Sequence, residues 1–259
     1  MLCKSPSCFC RRAGGMPKKI RLDDLLVQRG FFADRAASLR AVLAHEVKVG
    51  DAYATSAAMK VSPDADIKVR GGAPYVSRGG FKLRGALDAF GQDVAGLNCV
   101  DIGSSTGGFS DCLLQAGAAH VACVDVNYGQ LAWKVRQDAR TTVFERTNIR
   151  TAEPASLGAP FDLAVADLSF IGLASLAGVF AQLLRQGGIF IGLVKPQFES
   201  AHDETDHGVV TSEDVRLRTV DEVRQALTDA GFDVTGVVES SITGAKAHNI
   251  EYLVRAVKR

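Results

Sequence analysis

The chain has 259 residues, 47% of them hydrophobic and 23% charged, enough for one large domain or a small one plus a medium one. Its net charge of +1 hides a split: Met16–Arg84 carries 13 Lys/Arg against 7 Asp/Glu, and Gly85–Arg259 carries 14 against 22. That split speaks against one evenly charged module, and it suggests a polyanion partner for the first part and separate chemistry in the second.

The first 17 residues are expected to form a disordered tail. They lack the apolar core of a secretory signal, and Met16-Pro17-Lys18-Lys19 reads as a better natural start. Cys3, Cys8 and Cys10 lie there without a second ligand pair, so no metal site is expected. Residues 18–70 read as a small α+β domain. Leu22, Leu25 and Leu26 have helical spacing over Arg21–Arg29, which ends at Gly30. Asp34 can cap a second helix, with Ala36, Ala37, Leu39, Leu43 and Ala44 as its apolar stripe. Val47–Asp51 reads as a strand and turn, and Ile67–Val69 as another strand. Gly71-Gly72-Ala73-Pro74 breaks regular structure, so 71–80 is expected to be a linker and 81–259 a second domain.

Phe81–Phe90 reads as a helix carrying Lys82 and Arg84. Strand and helix patterns then alternate. Strands are expected at Cys99–Ile102, Val121–Val126, Thr142–Phe144, Phe161–Ala166 and Ile189–Val194. Helices are expected at Phe109–Ala116, Leu131–Ala139, Leu173–Leu184 and Val215–Ala230. This alternation is that of a doubly wound parallel sheet. Phe232–Glu239 and Glu251–Val257 would close it as an antiparallel pair. Glu199–Val210 lacks periodicity and reads as a loop, with His202 and His207 on its surface. Cys99, Cys112 and Cys123 fall in apolar runs and read as reduced core thiols. Phe161–Leu184 is the most apolar stretch, but Asp162 and Asp167 interrupt it, so no membrane span is expected.

A glycine-rich loop, Asp101-Ile102-Gly103-Ser104-Ser105-Thr106-Gly107-Gly108, leaves the first of these strands and opens a helix at Phe109. Ligands of such sheets sit at that edge. The spacing is not Gly-x-Gly-x-x-Gly, which argues against a nicotinamide enzyme, and no Lys-Ser/Thr follows, which argues against a nucleoside triphosphate loop. Asp125, ending the next strand, stands where a carboxylate would grip both ribose hydroxyls of an adenosyl group. Asp101 would orient the loop or bind a methionine ammonium.

Four residues in distinctive contexts surround this loop: Lys82 after Ser77-Arg78-Gly79-Gly80-Phe81, Asp167 before Leu168-Ser169-Phe170, Lys195 before Pro196, and Glu251 before Tyr252. Asp167 and Lys195 sit at strand ends on the ligand edge. Lys195 could act as a base with a lowered pKa or stay charged and stabilise an oxyanion. Phe170 and Phe198 could stack on a flipped nucleotide or belong to the core.

The order Lys, Asp, Lys, Glu resembles the tetrad of the FtsJ-like ribose 2′-O-methyltransferases. Together with the basic N-terminal region it resembles the TlyA family, often called hemolysin A, over roughly Lys18–Arg259. The two short helices and small β elements resemble the RNA-binding fold of ribosomal small-subunit protein four. This resemblance implies a Rossmann-like S-adenosylmethionine (SAM)-dependent methyltransferase fold, a mostly parallel seven-stranded sheet, behind a small α+β RNA-binding domain. It implies SAM as cofactor, ribosomal RNA as partner, a cytoplasmic location, and catalytic roles for Lys82, Asp167, Lys195 and Glu251. Arg35, Arg40, Lys48, Lys60 and Lys68 would contact phosphates, and Asn148 would recognise adenine. The glycine loop, Asp101 to Phe109, would hold the cofactor. Two other readings stand behind it. Base N-methylation lacks the two prolines its motif would need after Asp167 and gives the lysines no task. A non-catalytic RNA-binding or cytolytic protein would have no reason to keep all four charged positions filled.

Overall fold

The computed structural model describes residues 19–32, 34–244 and 249–259, without the side chain of His202. The expectations for the tail, with Cys3, Cys8 and Cys10, and for the His202 side chain lie outside these described residues.

The N-terminal unit is built from short pieces: β1 (Ile20–Arg21), α1 (Leu22–Gln28), α2 (Arg35–Leu43), β2 (Val47–Val49), β3 (Ala52–Tyr53), β4 (Lys60–Val61) and β5 (Ile67–Val69). β2 is the centre of a three-stranded antiparallel sheet between β3 and β5, and β1 pairs with β4. Leu22, Leu25 and Leu26 of α1 pack with Ala41, Val42, Val47 and Ile67 in a core of their own. Asp34 caps α2, accepting the Ala37 N–H at 2.7 Å. The face that α2 buries is not the expected one. Ser38, Ala41 and Val42 turn inward, while Leu39 and Leu43 stand out in solvent, Leu43 at 71% exposure. Both stripes have helical spacing, so periodicity alone could not choose between them. The small residues face inward toward α1, where Ser38 also satisfies its hydroxyl on the Asp34 carbonyl at 3.1 Å.

The larger unit begins with α3 (Gly79–Phe90), followed by β6 (Asn98–Ile102), α4 (Gly108–Gln115), β7 (His120–Val124), α5 (Trp133–Arg136), β8 (Thr141–Phe144) and β9 (Phe161–Ala166). Then come α6 (Ala177–Leu183), β10 (Leu184–Val194), α7 (Pro196–Glu199), α8 (Glu213–Asp229), β11 (Phe232–Glu239) and β12 (Tyr252–Lys258). The seven strands order as β11-β12-β10-β9-β6-β7-β8. Five neighbours run parallel, and β12 is inserted antiparallel between β10 and β11. This is the expected doubly wound sheet with its terminal antiparallel pair.

Each central strand is apolar on both faces because helices cover both. In β9, Phe161, Ala164 and Ala166 join the core under α6 and α8, while Leu163 and Val165 join the one under α3 and α4. Cys99, Cys112 and Cys123 are free and buried, as expected. Two expected helices are shorter than their patterns. Over 131–139 only Trp133–Arg136 is helical, because the Leu131 side chain packs on Gly107 and the Ala132 N–H is drawn to the Thr106 carbonyl. Over 173–184 a 3-10 turn precedes α6, and Leu184 already pairs with Phe161 in the sheet. No described helix is long and apolar enough to cross a membrane.

Candidate active site

The sheet register sets four residues side by side. Ile102 pairs with Ala166, Ala166 with Gly192, and Val194 with Tyr252. The residues just beyond this row are therefore Gly103, Asp167, Lys195 and Glu251, all at the carboxyl edge of the parallel strands. Ligands bind at that edge because each parallel strand hands over there to a loop and not to another strand.

Two lysine–carboxylate pairs are built on this row. Lys195 Nζ lies 2.5 Å from Asp167 Oδ1 and donates to Ser169 Oγ at 3.3 Å. Lys82, from the first turn of α3, donates to Glu251 Oε2 at 2.5 Å. Lys82, Lys195 and Glu251 are all buried. Burying an ion pair costs several kcal/mol per ion before the Coulomb gain, so two such pairs at one edge are weak structural cement and a strong pointer to function.

Beside the Lys195–Asp167 pair lies a pocket of about 170 Å³ walled by the glycine loop. Of the expected cofactor residues, Asp101, Gly103, Ser104, Ser105 and Thr106 line it, with Gly108 and Phe109 completing that wall. Gly103, at φ +81°, is close enough to the Asp167 carbonyl that a Cβ would sit 2.9 Å from it. The loop can thus touch the end of β9 only as glycine. Asp101 is fully buried. One oxygen accepts both the N–H (2.9 Å) and the hydroxyl (2.6 Å) of Ser110, which fixes the start of α4. The other, Oδ1, has no hydrogen-bond partner among the described residues, although Asp101 is part of the pocket wall. Burial pushes this carboxyl up to about 7.

Asp125 stands behind the loop. Its Oδ2 accepts the Ser105 N–H at 2.7 Å and its Oδ1 the Asn127 N–H at 2.8 Å. Gly107 packs against Leu131 and Val135 and is not among the pocket-lining residues. Asn148 is exposed and caps a turn, accepting the Arg150 N–H at 3.0 Å. The structure therefore gathers the loop, Asp101, Asp167 and Lys195, and it leaves Asn148 outside the pocket lining.

The matching family model is the FtsJ-like methyltransferase, over residues 75–258. The chain is 40% identical over 242 residues to a Mycobacterium tuberculosis protein named 16S/23S rRNA (cytidine-2′-O)-methyltransferase TlyA, covering 92% of this chain and 90% of that one. It is 34% identical over 240 residues to the hemolysin A of Brachyspira hyodysenteriae, covering 92% and 100%. A solved structure from Streptococcus thermophilus, named as a hemolysin, superposes with a TM-score of 0.73 at 37% identity, covering 94% of this chain and 90% of that one. The chain belongs to the TlyA family of FtsJ-like methyltransferases.

Three pocket residues of this TlyA-family protein were missed in the sequence: Ser77, Gly79 and Ser169. Ser77 and Gly79 lead into α3 and press on Gly108, where any Cβ would collide with the Ser77 hydroxyl. The segment is held by α4: Asp111 accepts the Val76 N–H at 2.9 Å, and Gln115 donates to the Pro74 carbonyl at 2.7 Å. The one available signal was the run of small residues around Ser77-Arg78-Gly79-Gly80 ahead of Lys82. Phe170 is not core. It is 89% exposed at φ +67°, with its ring 5.4 Å from that of Phe198.

The five basic residues expected to meet phosphate are dispersed over the N-terminal unit. Lys48 and Lys68 face each other across β2 and β5, and Lys48 also lies 4.7 Å over the Tyr53 ring. Arg40 and Lys60 are exposed on α2 and β4. Arg35 is occupied by Asp24, its Nε donating at 2.6 Å, and Lys68 lies 3.3 Å from Asp51. His207 is exposed on a loop bridge, as a surface histidine.

Proposed function

We propose that this protein is a SAM-dependent ribose 2′-O-methyltransferase acting on ribosomal RNA in the cytoplasm. The observation that carries the reading is the row of two lysine–carboxylate pairs, buried but for half-buried Asp167, beside a glycine-loop pocket. The pocket fits the cofactor's polar end. The unpartnered Asp101 oxygen is an acceptor for an ammonium, and the glycine loop admits close backbone approach. Asp125, behind the loop, would take the adenosine ribose through its remaining lone pairs while its two backbone bonds hold the loop in place. Asn148 would meet the adenine, with its amide nitrogen left over from the turn it caps. When bound, SAM supplies an electrophilic methyl group.

The protein's own residues then have to hold a weak nucleophile in line. An ammonium has three donors, and the contacts to Asp167 and Ser169 use two of them on Lys195. The third is left for the entering 2′-oxygen, whose growing negative charge it stabilises while the hydroxyl proton passes to solvent water. Asp167 fixes the direction of that donor. Lys82 and Glu251, already joined, lie outside the pocket lining on the same sheet edge and would steer the hydroxyl from there. Exposed Phe170, backed by Phe198, offers a face on which the base of the target nucleotide can stack. Lys48, Lys60, Lys68, Arg35 and Arg40 bring the polyanion to the acidic catalytic part.

The test is a map of ribose methylation on rRNA from cells with and without the protein, joined to tritiated-methyl transfer by the purified enzyme. The reading requires loss of a 2′-O-methyl group. Loss of a base methyl instead, with every ribose methyl retained, contradicts it.

A further inference from the structure

The segment after β9 is fastened to α7 at two points. At its start, Asp167 meets Lys195, the residue that opens α7, at 2.5 Å. At its end, half-buried Glu199 accepts the Leu173 N–H at 2.6 Å, and the neighbouring Ala174 N–H also favours its charged form. Phe170 stands between the two fastenings, 89% exposed and in left-handed backbone. Neither property favours this position in the free protein. Exposure forgoes the gain from burying an aromatic ring, and a positive φ is strained for a bulky residue. The surrounding structure must therefore hold it there.

Gly172 shows how tight the second fastening is. A Cβ at that position would lie 2.5 Å from Glu199 Oε2 and 3.1 Å from the Phe198 carbonyl. The Glu199 carboxyl is raised by burial against the pull of its backbone bonds. A partly buried carboxyl spent on two loop N–H groups is an odd choice for stability alone. Glu199 directly follows Phe198, so the single turn of α7 supplies both the ring beside Phe170 and the carboxylate that ties down the far end of the loop.

We propose that Glu199 is a positioning residue: by holding Leu173 and Ala174 against α7, it keeps Phe170 extended beside Phe198 as the seat for the target base. The inference rests on the reading of the site as an RNA methyltransferase. Glu199 is not among the pocket-lining residues, so its effect is on RNA and not on the cofactor.

The experiment uses the full chain with ribosomal subunits from cells lacking the methylation. Glu199→Ala, Glu199→Gln, Phe170→Ala and the Glu199→Ala/Phe170→Ala double variant are compared for RNA KM, kcat and SAM affinity. Hydrogen exchange at Leu173 and Ala174 is followed in parallel. Glu199→Ala should lower kcat/KM for RNA at least about tenfold, mainly through KM, with SAM affinity held within about twofold. Glu199→Gln, which keeps one acceptor, should recover most of it. The double variant should be no worse than Phe170→Ala alone, since both act through one ring. Unchanged RNA kinetics in Glu199→Ala, additive losses in the double variant, or unaltered exchange at the two amides each overturn the proposal. If the wild-type enzyme leaves rRNA riboses unmethylated, it is the functional reading that fails, and the exchange data still decide whether Glu199 is the clamp.

Discussion

The two units of the molecule treat charge differently. In the N-terminal unit the core is aliphatic, Lys48, Lys60, Lys68, Arg35 and Arg40 lie outside it, and the one buried charge among its described residues, Asp23, is paired with Arg21. In the catalytic unit Lys82, Asp101, Asp111, Lys195 and Glu251 are buried. Solvated charges cost the fold little and act at a distance. Buried ones cost several kcal/mol each and act only on what comes into contact. The first arrangement suits attraction of a polyanion, and the second suits chemistry at one atom.

The sharpest way to break this comparison is to cut one ion pair of each kind. Glu251→Gln leaves Lys82 buried without its counter-charge and should destabilise the protein by about 3–5 kcal/mol. Asp24→Asn, which cuts the more exposed pair with Arg35, should cost no more than about 1 kcal/mol. Urea unfolding of both variants measures the difference. Equal costs would mean that the Lys82–Glu251 pair is an ordinary surface contact.

Next in size is Lys195→Ala. Removing a donor aimed at developing charge should lower kcat by about 10²–10³-fold. Calorimetric SAM affinity should change far less than kcat, because Lys195, although it lines the pocket, takes no part in the bonds that shape the glycine loop. Retained turnover would remove Lys195 from the mechanism.

Much of this was legible in the sequence, for a physical reason. Strands covered on both faces are mostly apolar, so β6, β7, β9 and β10 stood out despite Asp101 and Asp162, and Asp167 and Lys195 were conspicuous as charges at strand ends. What was not legible depends on contacts between distant segments. The packing of Ser77 and Gly79 on Gly108 links residues about thirty positions apart, and no local pattern encodes it. The buried side of α2 was chosen by its neighbours and not by its own periodicity. Glu199 read as the start of a loop because its partner, the Leu173 N–H, is a backbone group that no side-chain pattern marks.

A further prediction turns on Asp101. Burial holds its carboxyl at about 7, above the ordinary carboxylate value. Between about pH 4 and 7 the folded chain keeps a proton that the unfolded chain releases. This group's contribution to stability is therefore full below about pH 4 and is lost as pH rises through 7. An ammonium docked on Oδ1 favours the ionised form. SAM binding should therefore expel a proton near neutrality and weaken by up to about tenfold per unit as pH falls below 7. Calorimetry in two buffers of different ionisation enthalpy reads the proton directly, and Asp101→Asn should abolish it. A binding heat independent of buffer in the wild type would separate Asp101 from the cofactor.

The smallest effects belong to the N-terminal unit, and there they should be diffuse. Arg35 and Lys68 already have carboxylate partners, so exposed Arg40 and Lys60 are the better test, with Lys48 beside Tyr53. Each phosphate contact contributes about one unit to the slope of log affinity against log salt. Arg40→Gln and Lys60→Gln should each flatten that slope by about one unit and weaken RNA binding modestly, with SAM affinity unchanged. Arg35→Gln should do less, because its charge is already shared with Asp24. RNA affinity across a salt series ranks the three. If Arg35 proves the most costly to remove, the ion pair with Asp24 opens on binding, and the static picture of a solvated basic surface gives way to one in which RNA competes for its own contacts.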